Sequence, residues 1–237
     1  MVAQDVELSL PRGVRYALIG PNGAGKTTLI NLLTGMLRPD SGQIFLGEGE
    51  DEAEVTALKP HRRVQRGLAR TFQINMLFPH LTALESVTLA VLERENAARV
   101  WWRPLPSYGG AIDEAYAILA SLNLKDVLQK QTKELAYGQQ RLLEIALALA
   151  TRPKVLLLDE PAAGVPKGES AELFAVVAGL SSDLTVLFIE HDMEVVFRFA
   201  SRILVMVGGR ILVEGTPAEI SRDERVREVY LGRRHAA

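Results

Sequence analysis

The run Gly20-Pro21-Asn22-Gly23-Ala24-Gly25-Lys26-Thr27-Thr28 fits the spacing G-x-x-x-x-G-K-[ST]. Glycines at 20, 23 and 25 accept backbone angles closed to other residues, so successive N–H groups can turn toward one anion. A helix starting near Lys26 would add a charge of about +0.5 at its N-terminus. The Lys26 ammonium then suits the outer phosphates of a nucleotide, and the Thr27 hydroxyl suits Mg²⁺. The rival explanation is a glycine-rich turn with a surface lysine. An apolar run before the motif and a periodic one after it favour the phosphate loop, so the chain is expected to bind nucleotide.

A second chemical position is Asp159-Glu160-Pro161, which follows the apolar run Val155–Leu158. A buried strand ending in two carboxylates sets them at the C-terminal edge of a parallel sheet, where ligands bind in such folds. Asp159 suits Mg²⁺, and Glu160 suits a base that polarises an attacking water. One carboxylate faces the cation while the other must stay free to accept a proton. Taken alone, the pair could be an acidic turn capping the next helix; the phosphate loop weighs against that. Gly138, in Leu135-Ala136-Tyr137-Gly138-Gln139-Gln140-Arg141, opens a periodic helix and offers another anion-binding N-terminus, or simply a cap. His191 alone reads as a satisfied core or surface histidine, and Gln73 alone carries no signal. Trp101-Trp102 could face a partner or lipid headgroups, although paired loop aromatics more often pack locally. Arg233-Arg234 reads as solvated.

These positions need a scaffold, and the hydrophobic pattern supplies one. Val14–Ile19 reads as a buried strand, Lys26 to about Leu37 as a helix, and Gln43–Leu46 as a strand. Residues 48–54 hold five carboxylates and read as a solvated loop. Strand signals fade from about Gln73 to Ala150. There, residues 112–122 place Ala115, Ile118, Leu119 and Leu122 on one helical face, and 139–150 repeat the pattern. Strands at 155–158, 184–189 and 203–207 then alternate with helices at 169–180 and 192–200, which implies a parallel α/β sheet. The expectation is one domain over 1–237, with residues 1–73 and 151–237 as the core and about 74–150 as an inserted helical subdomain.

Composition narrows the class. A chain of 237 residues, 48% hydrophobic and 24% charged, is globular and long enough for a real core. With 27 Lys+Arg against 29 Asp+Glu, the net charge of −2 gives no pull toward nucleic acid. The absence of cysteine excludes disulfides, thiolate metal sites and a cysteine nucleophile, and suits a reducing cytoplasm. The four histidines lack ligand spacing, which argues against structural zinc. No apolar run reaches the ~18 residues of a membrane span, and the first ten residues lack signal-peptide features. A soluble intracellular chain is expected.

With the motifs assembled, the chain resembles the ATP-binding cassette (ABC) ATPases over nearly its whole length. GPNGAGKTT matches their Walker A, VLLLDEP their Walker B and LAYGQQR their signature; Gln73 in RTFQ matches the Q-loop glutamine and His191 in IEHDM the switch histidine. The wording LAYGQQR, EPAAG and IEHDM, with GTPAEI and YLG near the end, is similar to ATPase subunits of branched-chain (hydrophobic) amino acid importers. The resemblance implies a P-loop NTPase, RecA-like parallel-sheet core with an inserted helical subdomain and an incomplete N-terminal antiparallel β part. It implies ATP and Mg²⁺ as cofactors, with Gly20 to Thr28 around the phosphates and Thr27, Gln73 and Asp159 at the metal. Glu160 is then the catalytic base, with His191 at the γ-phosphate. Gly138 and Gln139 serve the ATP of a second cassette.

The implied partners are that cassette, membrane permease subunits docking on the helical insertion and, indirectly, an extracytoplasmic solute-binding protein, all at the cytoplasmic face of the inner membrane. Three positions depart from the family pattern. Ala136 stands where many signatures have Ser, residues 162–165 lack the usual Asp or Asn, and the adenine-stacking aromatic falls before Met1, with Tyr16 too close to replace it. The last departure leads us to expect weaker nucleotide affinity and less preference for ATP over GTP. Two other classes are weighed: a soluble ABC protein acting on ribosomes or DNA, which usually carries two cassettes or a coiled-coil insertion, and a degenerate cassette with little activity.

Overall fold

The computed structural model describes residues 3–71, 77–97 and 107–231. Gln73, the Trp101-Trp102 pair and Arg233-Arg234 lie outside the described residues.

Eight strands and nine helices are described: β1 (Arg15–Ile19), α1 (Lys26–Thr34), β2 (Phe45–Leu46), β3 (Ala53–Glu54), α2 (Pro60–Gln65), β4 (Leu68–Arg70), α3 (Ala83–Arg94), α4 (Gly109–Ser121), α5 (Tyr137–Leu149), β5 (Val155–Asp159), α6 (Lys167–Ala178), β6 (Thr185–Ile189), α7 (Met193–Phe199), β7 (Arg202–Val207), β8 (Arg210–Gly215), α8 (Pro217–Arg222) and α9 (Glu224–Leu231). The main sheet runs β4-β5-β6-β1-β7-β8, parallel except for the β7–β8 pair. The strands β1, β5, β6 and β7 are largely apolar because both faces are covered, whereas the edge strand β8 exposes Arg210 and Glu214. Along β1, Ala17 and Ile19 enter one core cluster while Tyr16 and Leu18 enter the other. Strand β6 does the same, with Val186 and Phe188 on one side and Leu187 and Ile189 on the opposite side. This two-residue alternation is what a pleated strand imposes. Helix α1 covers the second face through Leu29 and Ile30, whereas α5, α6 and α7 cover the first through Leu143, Phe174 and Val196.

Between β4 and β5 the described residues hold no strand, only an isolated bridge between Thr82 and Gln131. The helices α3, α4 and α5 fill this interval. Thr82 starts α3 with a capping box: its hydroxyl accepts from Glu85 N–H while the Glu85 carboxylate accepts from Thr82 N–H. Glu114 on α4 joins the lobe together. It takes both guanidinium nitrogens of Arg94 (2.6 and 2.8 Å) and is also met by Arg152 (3.0 and 2.8 Å). These two cations hold its carboxyl down at about 2.

Several boundaries differ from the sequence reading. Helix α1 ends at Thr34 instead of Leu37, because Gly35 turns left-handed (φ 77°) and its N–H closes on Leu32 C=O. Arg63, 1% exposed, then donates to the carbonyls of Leu32 and Leu33 and so caps the negative end of the helix. The acidic stretch 48–54 is not a plain loop. Phe45–Leu46 pairs antiparallel with Ala53–Glu54, which places most of the carboxylates in an exposed hairpin. The strand β8 had no sequence expectation, although Gly208-Gly209 (φ 56° and 85°) supplies the two positive angles of a type I′ hairpin turn. Residues 3–12 form no described strand. Ala3, Val6, Leu8 and Leu10 pack against the α1 side of the sheet, and Gln4 N–H donates to Gly209 C=O. Tyr16 is 1% exposed within β1, its hydroxyl on Glu214, so it offers no stacking face.

Candidate functional site

Because β1, β5 and β6 are parallel neighbours, their C-terminal ends share one edge of the sheet. The loop 20–25 leaves β1 there, Asp159 and Glu160 end β5, and Glu190 and His191 follow β6. The loop is tightly wedged: a Cβ on Gly20 would run into the Met206 carbonyl. Gly25 (φ 103°) caps α1, whose ladder starts with Leu29 N–H on Gly25 C=O (2.9 Å). The N–H groups of Lys26, Thr27 and Thr28 therefore precede the ladder, at the positive end of the helix. Pro21 is half-buried, Asn22 and Gly23 are exposed, and Ala24 is buried under the loop; Thr27 is exposed and Thr28 half-buried.

Lys26 is buried, and its Nζ donates to the carbonyls of Gly20 (2.7 Å) and Pro21 (3.2 Å). Burial lowers its affinity for a proton, while the charges of Glu160 and Asp159 work in the opposite direction. The ammonium thus sits within electrostatic reach of both carboxylates. Asp159, 4% exposed, is met by Arg70 of β4: Nη2 donates to Oδ2 at 2.7 Å, and Nη1 donates to Asn31 Oδ1 of α1 at 2.6 Å. Glu160 is left-handed at φ 50°, an unusual angle for a side-chain-bearing residue, and its Oε1 lies 2.8 Å from His191 Nε2. Glu190 precedes His191 in the chain, and burial raises its carboxyl pKa despite hydrogen bonds from Ala162 N–H and His191 N–H.

Of the residues the sequence singles out, the structure sets Lys26, Asp159, Glu160 and His191 near one another on this edge. Gly138 and Gln139 sit on the helical lobe at the start of α5. Gln139 Oε1 accepts from Ala136 N–H (3.1 Å), and a Cβ on Gly138 would lie 3.1 Å from Glu169. Arg70, Asn31 and Glu190 were missed. Only tertiary pairing reveals the first two, but Glu190 ends an apolar strand just as Asp159 does, and the same rule could have found it. A wide cleft of roughly 2010 Å³ lies apart from these groups, between residues 3–12, the β2–β3 hairpin and the flank of α1; of the phosphate-loop residues it touches Thr28 alone.

Among the described residues no group of three or more His, Asp or Glu side chains could hold a metal by itself. That donor set still fits Mg²⁺, which takes one or two carboxylates and completes its shell with water and substrate phosphate. Arg70 donates to one oxygen of Asp159, and the hydroxyl of Thr27 at the start of α1 is a second hard oxygen donor on the same edge. The edge therefore combines a glycine-rich loop, a buried ammonium, a carboxylate and a carboxylate–imidazole pair, groups of the kind phosphoanhydride hydrolysis uses.

Comparison with known proteins agrees. The family model described as ABC transporter matches residues 3–163, and the one described as branched-chain amino acid ATP-binding cassette transporter matches 210–236. The high-affinity branched-chain amino acid transport ATP-binding protein BraF of Pseudomonas aeruginosa is 39% identical, covering 98% of this chain and 92% of the relative. LivG of Escherichia coli is 37% identical over the same shares. Among solved structures, the ADP conformation of MJ1267, an ATP-binding cassette of an ABC transporter, superposes with a TM-score of 0.82 at 31% identity, covering 98% and 92% of the two chains. The dimeric bacterial cassette MJ0796 gives 0.73 at 25% identity over 91% and 90%. The chain belongs to the ABC transporter family of ATP-binding cassettes.

Proposed function

We propose that this chain is the ATP-hydrolysing subunit of an importer for branched-chain or related hydrophobic amino acids. The observation that carries the hydrolytic part is the convergence of Lys26, Asp159 and the Glu160–His191 pair on one sheet edge. The cargo rests on the similarity to BraF and LivG, branched-chain amino acid transport ATP-binding proteins, and on the C-terminal family match.

In this reading the Gly20–Thr28 backbone binds the phosphates and Lys26 exchanges its loop carbonyls for their oxygens. Thr27, Asp159 and Gln73 would hold Mg²⁺, which supplies charge neutralisation at the phosphates. Glu160 accepts the proton of the attacking water, and His191, already within hydrogen-bond distance of it, turns to the γ-phosphate. Gly138 and Gln139 complete the site of a second cassette, so one chain supplies half of each site; MJ0796, a dimeric cassette, supports such an arrangement. The helical stretch, about 74–150, docks membrane permease subunits at the cytoplasmic face. No described helix is long and apolar enough to cross a membrane itself, so the translocation path belongs to those partners.

Steady-state phosphate release with Mg²⁺ and ATP tests the reading. A general base is worth about 10²–10⁴-fold, so Glu160→Gln should lower the turnover by that factor while nucleotide still binds. An unchanged rate would remove Glu160 from the role, and a chain that neither binds nor cleaves ATP would refute the proposal.

A further inference from the structure

The turn after Glu160 is held from two sides by side chains that the scheme above does not use. Glu190, 7% exposed, accepts from Ala162 N–H through Oε1 (3.1 Å) and from His191 N–H through Oε2 (3.2 Å). One residue further on, the Ala163 carbonyl accepts from the Tyr137 hydroxyl at 3.1 Å. Tyr137 is the first residue of α5 and adjoins Gly138. Its ring lies against Gly164, where a Cβ would sit 3.2 Å from the ring. Arg141 steadies that ring: its guanidinium lies 5.0 Å from the ring centroid, Nη2 donates to the phenol oxygen at 2.6 Å, and Nη1 pairs with Glu144 at 2.9 Å.

The turn between these two ties is short and internally closed. Ala163 N–H donates to Glu160 C=O and Val165 N–H to Ala162 C=O, both at 3.0 Å. A segment of this kind shifts as a unit, so a displacement at one tie is delivered to the other. We propose that Glu190 and Tyr137 are positioning residues that couple the Glu160–His191 pair to the start of α5. The proposal rests on the reading of Glu160 as base and of Gly138 as the contact to a second cassette's nucleotide. In that arrangement, engagement of α5 by the neighbouring site sets the base of this one.

The test is a mutant cycle on phosphate release by the full chain with Mg²⁺ and ATP, using Tyr137→Phe, Glu190→Gln and the double variant. Tyr137→Phe keeps the ring on Gly164 and removes the hydroxyl, which donates to Ala163 C=O and accepts from Arg141 Nη2. From the worth of one hydrogen bond, each single variant should lower kcat about 3- to 10-fold. The KM for ATP should stay within twofold. The double variant should be no slower than the worse single one, because both changes loosen the same turn. A merely structural role would move the melting temperature and KM and leave the two effects multiplicative. If Glu190→Gln does not fold, Glu190→Asp, which keeps the charge and shortens the reach, takes its place in the cycle. A kcat within twofold for either single variant, or independent effects, overturns the coupling while leaving the ATPase reading intact. A wild-type chain that releases no phosphate sinks both.

Discussion

Glu114 offers the most direct check of how the helical lobe is joined to the sheet. It lies between the end of α3 and the segment after α5, with Arg94 in bidentate contact and Arg152 on the same two oxygens. Its carboxyl is held near 2 against an ordinary 4.5, first by the hydrogen bonds from Arg94 and then by those from Arg152. At about 1.36 kcal/mol per unit, that difference corresponds to about 3 kcal/mol of folding free energy. Arg152 is 68% exposed and Glu114 itself 22%, so water screens part of the interaction. About 1–2 kcal/mol is the reasonable remainder. Glu114→Gln should therefore lower the melting temperature at pH 7 by about 2–8 °C for a chain of this size. A depressed folded pKa means the stabilisation is complete above the unfolded value of 4.5 and fades as the pH falls toward 2. The gap between wild type and variant in thermal melts should accordingly close between about pH 5 and 2. A gap that is absent at pH 7, or equally large at pH 2.5, would refute the reasoning.

Two other substitutions follow from buried cations. Arg63→Met removes donors from the carbonyls of Leu32, Leu33, Leu58 and Thr56 in a site 1% exposed. A loss of about 3 kcal/mol is expected from hydrogen bonds to a charged group, read as a fall in melting temperature of about 6–12 °C; a fall under 2 °C would contradict it. Arg70→Met leaves Asp159 as a buried carboxylate without its guanidinium and should cost about 3–5 kcal/mol in the absence of Mg²⁺. Adding Asp159→Asn should restore part of that stability, and a double variant as unstable as the sum of the two singles would be the contrary result.

Where the chain's own local rules coincide with the fold, the sequence is easily read. The strands β1, β5, β6 and β7 are covered on both faces, so each is a continuous apolar run, and each was placed within a residue or two. The phosphate loop is legible for a related reason. Its backbone must bend at fixed places, and glycine marks them. The missed elements obey rules that act at longer range. Strand β4 has only three residues, Leu68–Arg70, and becomes a strand because β5 offers it an edge. Arg70 reads as an ordinary surface charge until that pairing carries it to Asp159. Arg63 likewise sits in a mostly polar stretch, and only the approach of α1's last turn makes it a buried cap.

The same distinction explains why the Glu160–His191 pair is legible while its support is not. Asp159, Glu160 and His191 follow apolar strands directly, so strand direction alone delivers them to one edge. Whether Glu160 points at water, at metal or away depends on the turn that holds it at φ 50°. That angle is unfavourable for a side-chain-bearing residue by about 1–3 kcal/mol and persists only where the surroundings over-determine it. Here the surroundings are Ile189 C=O on the Glu160 N–H, Glu190 on Ala162 and Tyr137 on Ala163. The last two come from residues 28 and 26 positions away along the chain. A carboxylate aimed by such distant contacts answers to the position of α5 as well as to its own strand. The orientation of Glu160 is therefore a property of both lobes together, and loosening either tie should let the carboxylate leave the angle that sets it beside His191.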